Sequence, residues 1–379
     1  MAQKILKTRG DYSVLDEWLT KVRRPMLVCD RFMTTQPVYR SLMEAEARLG
    51  IRIVPFTDFV PNPQYDSVVK GVEIFRREGC DSMIGIGGGS AMDVAKCVKM
   101  YATMPGNGEE GGFLTQKLIP NEIPFLAMPT TAGTGSEATR HAVIYYQGQK
   151  QSISDYSCIP ETVLMDVGVL RTLPMYQKKA TMMDALCHAL ESFWSVNSTE
   201  ESKIYSKAAV RGVTEHLEGY LQNTDEGNEG MLLAAHMAGK AINIAQTTAG
   251  HAMCYKITSL FGCAHGHAAA LCDRVLFPHM IRNTGKCIDP RGEAYLRETL
   301  AEIAEAMGCQ TPEEAAERFG ETFKCLELSV PEATEEQFDI LKKGVNPVRL
   351  KNHPVLLDEE TIGQLYHKIL RTRTEESKA

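Results

Sequence analysis

The 379-residue sequence contains no run of roughly 18 apolar residues, the length a bilayer-spanning helix requires. Its first ten residues, MAQKILKTRG, lack the apolar stretch of a signal peptide. Its 11 cysteines stand singly, with no CxxC pair. That odd count in a long chain sets aside a disulfide scaffold and points to reduced thiols, so the expected setting is cytoplasmic, with no membrane partner. There is no basic block either. Lys and Arg number 41 against 48 Asp and Glu, a net charge of −7. A mildly acidic chain without clustered cations is a poor binder of nucleic acid. No internal repeat or low-complexity segment interrupts the chain. What remains is a composition of 44% hydrophobic and 23% charged residues, that of a globular protein with a sizeable core. A soluble enzyme is the expectation.

Up to about residue 170, short apolar runs alternate with helical patterns. Pro25–Asp30, Ile51–Phe56, Ser82–Ile86, Phe125–Met128 and Thr162–Asp166 read as strands. Tyr39–Leu49, Asp66–Glu78 and Ala91–Tyr101 read as helices, the first two stopped by Gly50 and Gly79. His141–Tyr146 and Gln149–Ser154 read as a hairpin turning at Gln147-Gly148. Apolar strands alternating with helices predict a parallel sheet covered on both faces. Beyond Pro174, strand signals nearly vanish. Helical periodicity marks Gln177–Ser195, Glu200–Tyr220, Met231–Gln246, Tyr295–Met307 and Thr334–Lys342. The expectation is an α/β domain over 1–173 and an all-α domain over 174–379. The polar end, Thr372–Ala379, reads as frayed.

Gly87-Gly88-Gly89-Ser90 follows a strand and opens a helix. Glycines let backbone approach a pyrophosphate closely, and the helix start offers free N–H groups. The spacing is neither GxGxxG nor the P-loop pattern, and a tight strand–helix turn would look the same. Asp30 ends the first apolar run, where an acid accepts hydrogen bonds from a ribose and repels a 2′-phosphate, favouring NAD over NADP. An ordinary turn Asp is the alternative. A second loop, Pro129–Glu137, is rich in hydroxyls and small residues suited to a nucleotide.

Asp184 and His188 are four residues apart on a predicted helix. They share a face, about 6 Å apart along the axis, which suits two ligands of one cation. Their neighbours Met182, Met183, Ala185, Leu186, Ala189 and Leu190 are apolar, so the face is buried and Asp184 needs a partner. His251, His265 and His267 lie further on. One Asp with three His is a sensible ligand set for Fe(II) or Zn(II), although a single buried His is more often a packing residue. His216, His236, His279, His353 and His367 read as surface or packing residues.

Together, GGGSAMDVAK (87–96), PTTAGTGSE (129–137), DALCHALE (184–191) and GHAMCYKITSLFGCAHGHAAAL (250–271) resemble the iron-containing, group III alcohol dehydrogenases. That family shares its fold with dehydroquinate synthase and glycerol dehydrogenase. The resemblance implies a dinucleotide-binding α/β domain followed by an all-α metal-binding domain, in a homodimer. It places the metal ligands at Asp184, His188, His251 and His265. The diphosphate loop falls on Gly87, Gly88, Gly89 and Ser90, with Asp93 on the following helix. Further cofactor contacts fall on Thr130, Thr131, Thr134 and Lys150, and Asp30 matches an acid of NAD-preferring members. Many members carry a histidine four residues after the third ligand, invoked in proton transfer. Tyr255 stands there instead, so Tyr255 or His267 is the expected proton relay.

The segment 247–256, TTAGHAMCYK, and the segment 345–352, VNPVRLKN, resemble the hydroxyethylphosphonate dehydrogenase branch, which reduces phosphonoacetaldehyde. An anionic aldehyde needs local cations in an acidic protein. Arg140, Lys256, Arg349 and Lys351 are the candidates, with His141 and Thr247 as lining residues. Arginine makes the better fork for a phosphonate or sulfonate. The expected function is metal-dependent, NAD(P)H-linked, reversible reduction of a small aldehyde such as phosphonoacetaldehyde. Sulfoacetaldehyde reduction, a general short-chain alcohol dehydrogenase and a dehydroquinate synthase-like lyase are the alternatives.

Overall fold

The computed structural model describes residues 3–106 and 111–373. The chain divides into two compact units, Met1–Thr131 with Gly135–Thr172, and Ala132–Thr134 with Leu173–Ala379. In the first, β1 (Lys4–Thr8) leads through the short helix α1 (Asp16–Leu19) to β2 (Pro25–Cys29). Helix α2 (Pro37–Leu49), β3 (Val54–Phe56), α3 (Tyr65–Glu78), β4 (Ser82–Gly87), α4 (Gly89–Ala102) and β5 (Phe125–Pro129) follow. Strands β6 (His141–Tyr146) and β7 (Gln149–Ser154) form the expected hairpin, and β8 (Thr162–Asp166) ends the unit. Six strands lie parallel in the order β1-β8-β5-β4-β2-β3.

Alternation along the strands builds two cores. Met26 and Val28 of β2, with Met83 and Phe125, pack under α3 and α4. Leu27 and Cys29, with Ile84, Ile86 and Leu126, pack under α2 and the segment that holds α1. This two-sided burial explains the continuous apolar runs of the sequence. Two features differ from expectation. Lys4–Thr8 is a strand, in register with Thr162–Asp166. β3 begins only at Val54, because the N–H groups of Arg52 and Ile53 turn to the Arg23 carbonyl and the Glu46 carboxylate.

The second unit is helical, as expected. Its helices are α5 (Met175–Trp194), α6 (Glu200–Leu221), α7 (Asp225–Ala245), α8 (Ala249–Phe261) and α9 (His265–Arg282). They continue with α10 (Glu293–Ala306), α11 (Pro312–Cys325), α12 (Glu335–Lys343), α13 (Pro347–Leu350) and α14 (Glu359–Ile369). Every residue from Met182 to Trp194 of α5 is buried, so this helix is the axis of the unit. Helix α7 starts six residues before the expected Met231, under a Thr224 side-chain cap. Its glycines do not break it. A Cβ on Gly227 would overlap the backbone of Gly219, and one on Gly230 would overlap the His216 ring, so both serve close approach to α6. Two short strands also occur, β9 (Glu332–Ala333) and β10 (Arg371–Thr372), paired in parallel. Thr372 is therefore tied down rather than frayed, and residues 374–379 lie outside the described residues. No helix among the described residues is long and apolar enough to cross a membrane.

His353 is a packing residue, fully buried, with no hydrogen-bond partner on either ring nitrogen among the described residues. Burial pushes its pKa down to about 4. An unfolded histidine titrates near 6.5, so between pH 6.5 and about 4 the folded protein binds fewer protons than the unfolded one. Stability should therefore fall as pH drops through that window, by up to about 3 kcal/mol from this group. In urea titrations at pH 7, 5.5 and 4.5, His353→Leu should lose less stability on acidification than the parent. Equal slopes would mean the imidazole is not held neutral.

Candidate active site

At the carboxyl ends of β2 and β4 the chain leaves the sheet in opposite directions, β2 toward β3 and β4 toward β5. Such a switch point forms a crevice where α/β sheets bind ligands. Asp30 stands at the end of β2 and Gly87 at the end of β4. Gly87 has φ +154, and a Cβ there would lie 2.5 Å from the Ala91 Cβ and 3.1 Å from Asp30 Oδ2. Only a glycine fits between the acid and the first turn of α4. Gly88 is the N-cap of α4 and supplies no side chain, so the N–H groups of that turn face outward unsatisfied by the helix itself. Gly88 also packs on Thr131, and the Thr130 N–H donates to the Gly87 carbonyl at 3.0 Å. Burial raises the Asp30 pKa.

Asp93 lies one turn into α4, half-buried, and burial pushes its pKa up to about 7 against the opposing Lys96 charge. Lys96 is also buried and donates to the Ser136, Thr139 and His141 carbonyls at 2.6, 2.7 and 2.8 Å. It rivets the hydroxyl-rich loop to α4. Lys150 is exposed on β7, and its charge also favours ionisation of Asp93. Of the predicted threonines, Thr130 and Thr131 belong to the first unit and Thr134 to the second. The reason is Gly133, whose Cβ position lies 2.6 Å from the Thr181 Cβ of α5.

The second unit gathers ionisable groups where apolar packing would be expected. Asp184, His188 and His251 each offer a ligand atom, all within 4.8 Å of one another and all buried. His251 Nε2 lies 3.5 Å and His188 Nε2 4.0 Å from Asp184 Oδ1, and the two rings stack at 4.5 Å. Asp184 Oδ1 and His251 Nε2 have no hydrogen-bond partner among the described residues. Buried polar atoms left so, facing one another, fit a cation, and one carboxylate with imidazoles suits Zn(II) or Fe(II). His265 is the first residue of α9. Its ring centroid is 5.2 Å from that of His251, and its Nδ1 lies 3.7 Å from Cys254 Sγ. It borders the close set of three without belonging to it. The turn into α9 needs Gly266, because a Cβ there would lie 2.5 Å from the Asp184 Cβ.

Burial alone would raise Asp184, but the charges of His188, His265 and His251 and a contact from His251 hold it well below the usual carboxylate range. Burial lowers His188. It would lower His251 too, but Glu191 and Asp184 push that imidazole up to about 10. Two of these neighbours escaped the sequence reading. Glu191 accepts a short hydrogen bond from His251 Nδ1. Asp273 sits against Glu191 with no exposure, and burial and the Glu191 charge drive its pKa well up. A signal existed for Glu191, a second acid on the apolar helix, three residues beyond His188 and on the Asp184 face.

The remaining predicted residues fall as follows. Tyr255 stacks on His265 with ring centroids 5.6 Å apart. His267 is locked, its Nδ1 3.1 Å from the Tyr176 hydroxyl and its Nε2 2.8 Å from the Ser329 carbonyl. Both its ring nitrogens thus have a hydrogen-bond partner. The two segments singled out for substrate do come together. Asn352 Nδ2 donates to the Thr247 carbonyl at 3.0 Å, and Arg349 Nη1 approaches Gln246 Oε1 at 3.4 Å. Lys256 and Lys351 are exposed, and the Lys256 stem lies against Gly344. In the first unit, Arg140 donates to the Tyr156 hydroxyl at 2.6 Å and lies over its ring, while His141 begins β6.

Gly87→Ala tests the crevice. The methyl group must displace the first turn of α4, an overpacking cost of about 1–3 kcal/mol. Calorimetric titration with NAD+ should show affinity about tenfold or more weaker, with zinc uptake unchanged. Undiminished NAD+ affinity would remove this loop from the dinucleotide site.

Residues 2–167 match the family described as "Iron-containing alcohol dehydrogenase", and residues 178–370 match "Fe-containing alcohol dehydrogenase family, C-terminal". Alcohol dehydrogenase 4 of Schizosaccharomyces pombe is 32% identical over 331 residues, covering 84% of this chain and 75% of its own. Phosphonoacetaldehyde reductase of Streptomyces viridochromogenes is 31% identical over 314 residues, 79% of each chain. The crystal structure of sulfoacetaldehyde reductase from Bifidobacterium kashiwanohense in complex with NAD+ superimposes with a TM-score of 0.84, at 25% identity and over 98% of both chains. The chain belongs to the iron-containing alcohol dehydrogenase family and is an enzyme of that type.

Proposed function

We propose that this enzyme reversibly reduces a small aldehyde to its alcohol with NAD(H), and that the aldehyde carries an anionic tail. The observation that carries this reading is the buried cluster of Asp184, His188 and His251. These residues hold one divalent cation, Fe(II) or Zn(II), and His265 completes the four ligands. The cation, when bound, supplies Lewis acidity for carbonyl reduction, and the nicotinamide supplies or accepts the hydride. Gly87, Gly88, Gly89 and Ser90 bind the diphosphate at the start of α4. Thr130, Thr131, Thr134 and Lys150 line the dinucleotide, and Asp93 supports the loop from below. Asp30 accepts the ribose hydroxyls and disfavours a 2′-phosphate, hence NAD over NADP. Tyr255 delivers the proton to the nascent alcohol.

The anionic tail is bound by Arg349, with Thr247 beside it and Lys256 and Lys351 adding positive potential. Arg140 and His141 are the candidate substrate residues of the first unit. Phosphonoacetaldehyde, giving 2-hydroxyethylphosphonate, is the first choice. The names of a 31% identical relative and of a 25% identical structure, a phosphonoacetaldehyde reductase and a sulfoacetaldehyde reductase, support a tail of this kind. The enzyme acts as a cytoplasmic homodimer.

The test is an aldehyde panel with NADH and NADPH after Fe(II) or Zn(II) loading. Phosphonoacetaldehyde should exceed propanal and lactaldehyde in kcat/KM by about tenfold or more, as expected of charge-assisted recognition. A preference for sulfoacetaldehyde would move the assignment to the sulfonate. A preference for propanal would leave a general short-chain alcohol dehydrogenase. No NADH oxidation with any aldehyde would favour a lyase that retains its NAD. Two substitutions sharpen the reading. His251→Ala should lose both bound metal, read by elemental analysis, and turnover. Arg349→Ala should raise KM for phosphonoacetaldehyde about tenfold or more and leave propanal nearly unchanged.

A further inference from the structure

Glu191 stands outside the ligand cluster, yet four donors converge on its carboxylate. Oε1 takes the His251 Nδ1–H and also accepts the His251 backbone N–H at 3.1 Å. Oε2 accepts the Thr248 backbone N–H, and the Thr248 hydroxyl donates to it at 2.8 Å. That hydroxyl accepts in turn from Trp194 Nε1 at 2.9 Å. The Glu191 side chain has no solvent exposure. Gly250 lies over the same spot. A Cβ there would overlap Asp273 Oδ1 and lie 2.6 Å from Glu191 Oε1.

A neutral imidazole carries its proton on one nitrogen only. A carboxylate facing Nδ1 demands the proton there, which leaves the lone pair on Nε2. Nε2 is the atom that faces Asp184 Oδ1 at 3.5 Å. The same carboxylate caps the start of α8, where Thr248 makes no side-chain cap of its own. Glu191 belongs to α5, the helix that carries Asp184 and His188. One side chain therefore refers the ring angle of His251, and the helix end that carries it, to the helix bearing the other two ligands.

We propose that Glu191 is the positioning residue of the cation site: acting through His251, it selects the Nε2 lone pair and sets affinity for the metal. This rests on the reading of the cluster as a cation site. The rival is a plain helix cap, whose loss would loosen α8 without bearing on the ring nitrogen. Glu191→Gln keeps the size but turns an amide donor toward one set of donors. Glu191→Asp keeps the charge and withdraws the carboxylate from the ring. Thr248→Val removes one cap contact and leaves the Nδ1 contact intact.

The experiment strips the full-length protein of metal and titrates it with Zn(II) alone against a competing chelator, then records the visible spectrum with Co(II). Glu191→Gln and Glu191→Asp should bind Zn(II) about 10–100-fold more weakly and shift the Co(II) bands, the range seen for outer-shell partners of metal histidines. Thr248→Val should stay within about threefold of the parent, below that range. Parental affinity and spectrum in both Glu191 variants would overturn the positioning role. So would an equal loss in Thr248→Val, which would assign the effect to the cap. If Glu191→Gln does not fold by circular dichroism, Glu191→Asp and Thr248→Val decide on the same criteria. A parent protein that takes up neither metal overturns the cation site itself. Tight binding by parent and variants alike overturns only the role of Glu191.

Discussion

A carboxylate in the middle of a helix buried on every side is the constraint that shapes the second unit. Ionised Asp184 inside a low-dielectric interior costs several kcal/mol unless positive charge and hydrogen bonds surround it. Helix α5 cannot supply that alone, because only His188 shares its face within one turn. The rest comes from α8, which brings His251, and from the start of α9, which brings His265 alongside. Close approach of these segments then demands small residues at the contacts. Gly266 lies on the Asp184 Cβ, Gly250 lies over the Glu191 and Asp273 carboxyls, and Gly133 lies on Thr181. These glycines are what lets the segments approach so closely.

The same constraint explains why three acids, not one, lie within this interior. Two adjacent buried carboxyls cannot both ionise cheaply, and burial with the Glu191 charge drives the Asp273 pKa well up. Burial would also raise Glu191, but the His251 charge and the donors around it hold it low. Asp184 and Glu191 are thus pushed toward the ionised form and Asp273 toward the neutral one. Without a metal, the raised pKa of His251 offsets part of that charge. Metal binding requires neutral imidazoles beside ionised carboxylates, and a cation among these groups would favour that pattern.

Much of this was legible in the residues. The hairpin at Gln147-Gly148 and the strand Thr162–Asp166 stand where alternation and turn chemistry put them. The helix bearing Asp184 and His188 was legible because its pattern is long and uninterrupted. Lys4–Thr8 was not. It is a short edge strand with charged residues, and its partner lies more than 150 residues away, so no local signal marks it. The start of α7 was hidden by Gly227 and Gly230, which look like breakers and act as helix–helix contacts. In the candidate site, the spacing that brings Asp184 and His188 onto one face was readable, but partners that act across helices were not. His267 looks like His265 in sequence, yet its two nitrogens are spent on Tyr176 and Ser329. Glu191 was visible only as part of a motif, because its role depends on where α8 lands.

Gln246 carries this logic to the backbone. It sits at φ +61 and ψ 169, a region that residues other than glycine rarely occupy and that costs of order 1–3 kcal/mol. Its own N–H still closes the last turn of α7 on the Ile242 carbonyl at 3.0 Å. The next carbonyl, that of Thr247, is taken by Asn352, and the next N–H, that of Thr248, by Glu191. The chain must therefore turn from the axis of α7 to that of α8 within three residues, Gln246 to Thr248, whose hydrogen bonds are already fixed on both sides. A glycine would relax the turn, but it would remove the side chain that meets Arg349 and Asn352. The strained residue thus stands at the junction of the helix that supplies His251 and the segment that supplies Arg349. The positions of the two segments therefore bear on one another through the side chain and backbone of this one residue.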